Sequence, residues 1–149
     1  IIKQAREMGI TAVIAAGDTW ENATIIENAG ADAEGVVLST FFDEAAPAND
    51  EAASFIKGFK EYLVSIGEPD IIPAVSALGY DAYLCLLQAI KDADSTDPAA
   101  VRDALENVSV TGVTGDITFN ETGDANKSLA FIKTIKDGQF QFLTTTTLE

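Results

Sequence analysis

A chain of 149 residues, 47% hydrophobic and 22% charged, has the composition of an ordinary globular core and holds one domain or parts of two. Its 24 acids and 9 bases leave a net charge of −15, which argues against nucleic acid as a partner, because neutralising phosphates needs basic clusters. With no histidine and one cysteine, Cys85, the chain lacks Ser-His-Asp and Cys-His arrangements, the commonest zinc ligand and any internal disulfide.

No run approaches the roughly 18 apolar residues that span a membrane. No signal peptide is visible. The acids are mixed with apolar residues, which reads as a solvated acidic surface, with adaptation to high salt as a second reading.

The opening looks like a middle. Ile1-Ile2-Lys3-Gln4-Ala5-Arg6-Glu7-Met8, followed by Gly9, reads as the last turns of a helix stopped by glycine. A buried parallel strand is expected over residues 11–16, followed by the polar turn Gly17-Asp18-Thr19-Trp20. Together these form the second half of a β-α-β unit, so the chain is expected to be a piece of a larger α/β protein.

Asn22 or Thr24 is placed to cap a short helix through Ala29, ended by Gly30. A second buried strand is expected over 35–41, then an exposed connection over 42–49 containing Pro47. Asn49 or Asp50 should cap an amphipathic helix to about Ile66, with Phe55, Ile56, Phe59, Tyr62, Leu63 and Ile66 recurring at helical steps. Pro73 makes 71–75 a loop rather than a central strand.

The most apolar helix, over 77–93, carries Leu78, Ala82, Leu86, Ala89 and Ile90 and should be buried over much of its surface, with Cys85 as a core thiol. Thr96 or Asp97 caps the next helix, with Pro98 in its first turn and Val101 and Leu105 buried. Residues 113–119 alternate as a strand and 120–124 form a turn. Segments 129–135 and 139–143 form a hairpin around Lys136-Asp137-Gly138. Leu148-Glu149 reads as a cloning remnant, and no internal repeat appears.

Gly17-Asp18-Thr19-Trp20, Ala33-Glu34-Gly35-Val36, Leu78-Gly79-Tyr80-Asp81-Ala82 and the run from Gly112-Val113-Thr114-Gly115 through Asn120-Glu121-Thr122-Gly123-Asp124 occur in a specific order. That ordered set resembles the type I periplasmic binding proteins, and most nearly the leucine/isoleucine/valine-binding receptors of ABC importers. The Asp137-Gly138 hairpin matches too. The resemblance implies an α/β, parallel-sheet, Rossmann-like fold in which two lobes close over a ligand. This chain would be a fragment of it, with long helices and a C-terminal β-hairpin, matching roughly the last 40% of such a receptor.

It implies a second-lobe β-α-β segment over 11–42, first-lobe helices over 49–107, and terminal strands and a hairpin over 112–143. A return to the second lobe would fall near 118–129. It also implies a periplasmic or outer-surface location, an ABC permease as partner, and a small amino acid held without catalysis or cofactor.

Asp18 is the leading ligand candidate. It ends a parallel strand, where open α/β sheets place ligands, and its carboxylate suits an α-ammonium group. The family commonly uses an acid in this loop for that contact, although its leucine/isoleucine/valine group places a glutamate there. Thr19 and Trp20 share the turn, Trp20 as a cleft wall or as packing. Tyr80 resembles a recurrent cleft tyrosine but lies on an apolar helix. Phe41 and Phe42 fall where the chain leaves the second lobe, at a hinge or cleft rim.

Gly112-Val113-Thr114-Gly115 lacks the lysine of a phosphate loop. Asp116, Asn120, Glu121 and Asp124 lack calcium-loop spacing, so no metal site is expected. Alternative readings are a ligand-sensing regulatory domain of the same fold and a flavodoxin-like cofactor binder. The piece itself is expected to self-associate through open sheet edges.

Overall fold

The computed structural model describes residues 1–68 and 70–147. The opening segment is helix α1 (Ile2–Glu7). Strand β1 (Ala15–Ala16) follows and leads into a single 3-10 turn at Asp18–Trp20. Helix α2 (Ala23–Ala29) is capped by Asn22, whose Oδ1 accepts the Thr24 N–H at 2.8 Å, and it stops at Gly30 with φ 58°. Strand β2 (Val37–Thr40) then pairs in parallel with β1.

The expected strand over 11–16 is thus shorter and less covered than its apolar sequence suggests. Val13 is 72% exposed beside the edge strand β1, whereas its neighbour Ile14 packs against the core cluster of α1 and α2.

Three helices come next. Asn49 caps α3 (Asp50–Ser65), its Oδ1 accepting the Ala52 N–H at 2.8 Å. The expected apolar stripe holds for Phe55, Ile56, Phe59 and Leu63, which pack inward, but Tyr62 and Ile66 face solvent. Helix α4 (Ala74–Ala93) starts three residues earlier than expected, just after Pro73, which costs a helix nothing at its beginning. Its buried stripe is Ala74, Ala77, Asp81, Cys85 and Ala89, whereas Ala82 and Leu86, expected inside, lie outside. Asp97 caps α5 (Pro98–Leu105) through the Ala99 and Ala100 N–H groups.

Residues 113–119 do not form one strand. β3 (Val110–Gly112) and β4 (Gly115–Ile117) make a tight antiparallel hairpin with Val113 and Thr114 at its tip. The tip is buried rather than solvated because the Asp81 carboxylate receives it: the Val113 and Thr114 N–H groups donate at 2.7 and 2.9 Å, and the Thr114 hydroxyl at 2.5 Å. Asn120 folds the following turn, its Oδ1 accepting the Thr122 and Asp124 N–H groups, each at 2.9 Å.

The C-terminal hairpin forms as expected but longer, with β5 (Leu129–Lys136) and β6 (Gln139–Thr147). Asp137 and Gly138 both have positive φ, the requirement of a type I′ turn, and Glu34 accepts both of their N–H groups, at 3.0 and 2.7 Å. The main sheet runs β1-β2-β5-β6 and is parallel only between its first two strands.

The core falls into three parts. Ile2, Ala29, Ala33, Val36 and Ile135 pack α1 and α2 on the sheet. Phe42, Ala52, Ile72, Ala77 and Val113 join α3 to α4. Cys85, Ala89, Val101, Val108 and Ile117 join α4, α5 and the β3–β4 hairpin. Residues 112–143 are therefore shared: the short hairpin goes with the helices and the long one with the sheet. Leu148 and Glu149 lie outside the described residues. No described helix is long and apolar enough to cross a membrane.

Candidate functional site

At the C-terminal end of β1 the chain turns sharply. The Trp20 N–H donates to the Gly17 carbonyl at 3.1 Å, and the Glu21 N–H to the Asp18 carbonyl at 2.9 Å. This turn presents Asp18, Thr19 and Trp20 together. Thr19 is exposed and Asp18 half-buried. Trp20 is half-buried, with its side chain packed on the core cluster between the sheet and α1 and α2.

The neighbouring strand β2 ends at Thr40, and Phe41 and Phe42 follow it. Phe41 is half-buried. Phe42 is 1% exposed and meets Phe55 edge-on, with centroids 6.1 Å apart, so it works as a core residue of the helical part. The expected exposed connection begins only after Asp43, which is also buried.

Tyr80 packs in a different core cluster from Trp20 of the Asp18 turn. It stands on α4, with its ring 4.9 Å from that of Phe55 and its hydroxyl 3.5 Å from a Glu51 carboxylate oxygen. Burial, and then the charge of Glu51, raises its phenol above the ordinary tyrosine value. Cys85 is buried, and its thiol is raised above the ordinary value first by burial and then by the Asp81 charge.

A buried charge cluster lies under the Asp18 turn. Lys133 of β5 pairs with Glu21 and, at 2.9 Å, with Asp43, all three side chains being under a tenth exposed. The Thr40 hydroxyl donates to the second Glu21 oxygen at 2.9 Å, and Asp43 accepts the Ala45 N–H at 2.8 Å. Burial alone would pull the Lys133 ammonium down. Its hydrogen bonds to Glu21 and Asp43, with their charges, outweigh that and hold it above the ordinary lysine range.

The sequence singles out Asp18 as a candidate but not this cluster. The available signal is parity: Phe131, Lys133 and Ile135 alternate along β5 and share its buried face, so a lysine there requires anionic partners.

Two concavities lie elsewhere. One, of about 370 Å³, is lined by Asn49, Thr111, Asp116, Thr118, Asn126 and Lys127, among others. The other, of about 690 Å³, lies between the end of α5 and the 119–123 turn. Neither is lined by any of the six residues that the sequence singles out. Among the described residues no group of three or more Cys, Asp or Glu side chains is arranged to hold a metal ion.

An acid-bearing turn at the carboxyl end of a parallel strand is the ligand position of an open α/β sheet. A family model described as periplasmic binding protein matches residues 1–139. The chain belongs to that family.

Three solved structures place this periplasmic binding protein among its relatives. A leucine binding protein from Thermotoga maritima is 33% identical with a TM-score of 0.84, over 98% of this chain and 40% of that one. An ABC transporter substrate-binding protein from Desulfitobacterium hafniense, in complex with Leu, is 28% identical with a TM-score of 0.74, over 95% and 38%. A branched-chain amino acid transporter substrate binding protein from Streptococcus pneumoniae, in complex with isoleucine, shares the fold at 23% identity and a TM-score of 0.76, over 99% and 40%.

The chain thus spans about 40% of the length of these relatives. A search of curated proteins returned no match. The family is one of binding proteins and not of enzymes, and membership sets aside the flavodoxin-like reading.

Proposed function

We propose that this periplasmic binding protein contributes the Asp18 side of an amino-acid site in the solute-binding component of an ABC importer. The supporting observation is the likeness, over 98% of the chain and at 33% identity, to a protein named for binding leucine. The Asp18 turn adds the chemistry: an acid at a strand end, suited to an α-ammonium group.

In this reading branched-chain or related amino acids are the solutes, held non-covalently between two lobes. Residues 11–42 and the long hairpin serve the second lobe, and 49–107 serve the first. Thr19 and Trp20 flank the ammonium contact, Phe41 lies at the cleft rim, and Tyr80 approaches from the first lobe. Ligand contacts with both lobes shift the population toward a closed form that docks on a membrane permease in the periplasm or at the extracellular face of the membrane. A sensory role for the same fold would use the same site.

The test is equilibrium binding of L-leucine to a protein that carries this chain within two complete lobes. Asp18→Asn removes one charge-assisted hydrogen bond, of about 1.5–3 kcal/mol, and should weaken binding by about 10- to 100-fold. Unchanged affinity would remove Asp18 from the site.

A further inference from the structure

We propose that Lys133 and Glu21 are positioning residues that fix the Asp18 turn to the centre of the sheet; this rests on the reading of Asp18 as a ligand contact.

Glu21 joins the two systems. Its backbone N–H closes the turn on the Asp18 carbonyl at 2.9 Å, and its side chain is held from below by Lys133 and by the Thr40 hydroxyl at 2.9 Å. Thr40 and Lys133 belong to β2 and β5, the two inner strands of the four-stranded sheet. The anchor therefore sits in the most constrained part of the fold, while the turn hangs from the short edge strand β1.

The same ammonium reaches Asp43 at 2.9 Å, so one lysine ties the turn after β1 to the chain leaving β2. A buried ion cluster is a poor way to gain stability, since apolar side chains of similar volume often do as well. What it supplies here is direction. Fixed partners on two strands leave the turn one orientation, and a ligand contact needs its support locked within about half an ångström.

Trp20 reports on this directly. It is the only tryptophan and lies in the turn. In the 149-residue chain, Glu21→Ala removes the anchor but keeps the backbone N–H. Acrylamide quenching of Trp20 should then rise about twofold, with far-UV circular dichroism unchanged. Lys133→Met should do the same and Lys133→Arg should restore wild-type quenching. Asp43→Ala releases the other segment and should leave Trp20 as it was. If Glu21→Ala fails to fold, Glu21→Gln, which keeps the shape and loses the charge, should give a smaller rise in the same direction.

Unchanged Trp20 quenching in folded Glu21 variants overturns the proposal. So does a rise in Asp43→Ala equal to that in Glu21→Ala, which would indicate general loosening. Absence of leucine binding in a wild-type two-lobed protein would refute the proposed function and leave this comparison intact.

Discussion

Asp81 shows how much one buried side chain decides. Its carboxylate accepts two backbone N–H groups and one hydroxyl from the β3–β4 tip, and Lys127 extends the chain by donating to the Thr114 hydroxyl. Burial lowers the Lys127 ammonium below the ordinary lysine value, and the Asp81 charge offsets part of that. Removing the acceptor strands buried donors at about 1–3 kcal/mol each, so Asp81→Ala should lower unfolding free energy by at least about 2 kcal/mol in urea titrations. An unchanged midpoint would show that the tip finds other partners.

Gly112 explains itself in the same place, since a Cβ there would lie 2.3 Å from the Asp81 Oδ1 atom. Lys133 makes a prediction of opposite sign to Lys127. Its proton is held more tightly in the folded protein, so its stabilisation is full below the ordinary value of about 10.4 and is lost as pH rises through the raised folded value. The stability gap between wild type and Lys133→Met should therefore shrink only above about pH 10. A constant gap would mean that packing, not charge, carries the effect.

At the scale of elements, the starts of α2, α3 and α5 were legible because caps are local. Asn22, Asn49 and Asp97 each accept the N–H groups that a helix start leaves unpaired. Asn49 does more than its sequence announces, because its amide also donates to the Gly112 carbonyl at 2.9 Å and so ties the start of α3 to the short hairpin. Asn49→Ala should cost about 1 kcal/mol for the lost cap, measured by thermal or urea unfolding, and more if the tie adds to it.

The inner face of α4 was not legible, because a uniformly apolar helix offers several plausible stripes. The one chosen carries Asp81 rather than Leu86, since the hairpin tip needs an acceptor there. The strand over 11–16 was overread for a related reason: apolar residues predict burial only where something covers them. The type I′ turn at Asp137 and Gly138 was readable from its two residues. The antiparallel docking of β5 on β2, across almost a hundred residues of chain, has no local signal and was not read from the sequence.

The whole molecule presents two open sheet edges and a scatter of large exposed apolar side chains, Val13, Val75 and Tyr83 among them. Strand β6 is an uncharged nine-residue edge in a chain of net charge −15, so charge repulsion is weakest where unpaired backbone is most available. The chain should therefore self-associate reversibly, its average mass in sedimentation equilibrium rising with concentration. A monomer at every concentration would contradict this.

The family could be read from the ordered set of short motifs. Of the candidate site, the Asp18 turn was readable and its charged support was not, because a buried lysine and its two acids lie far apart in sequence. The most direct test of the account is isothermal titration of a two-lobed protein carrying this chain with L-leucine and with 4-methylpentanoate, which keeps the side chain and carboxylate but lacks the α-ammonium group. Leucine should bind at least about tenfold more tightly, and Asp18→Asn should erase most of the difference. Equal affinities for the two ligands would contradict this.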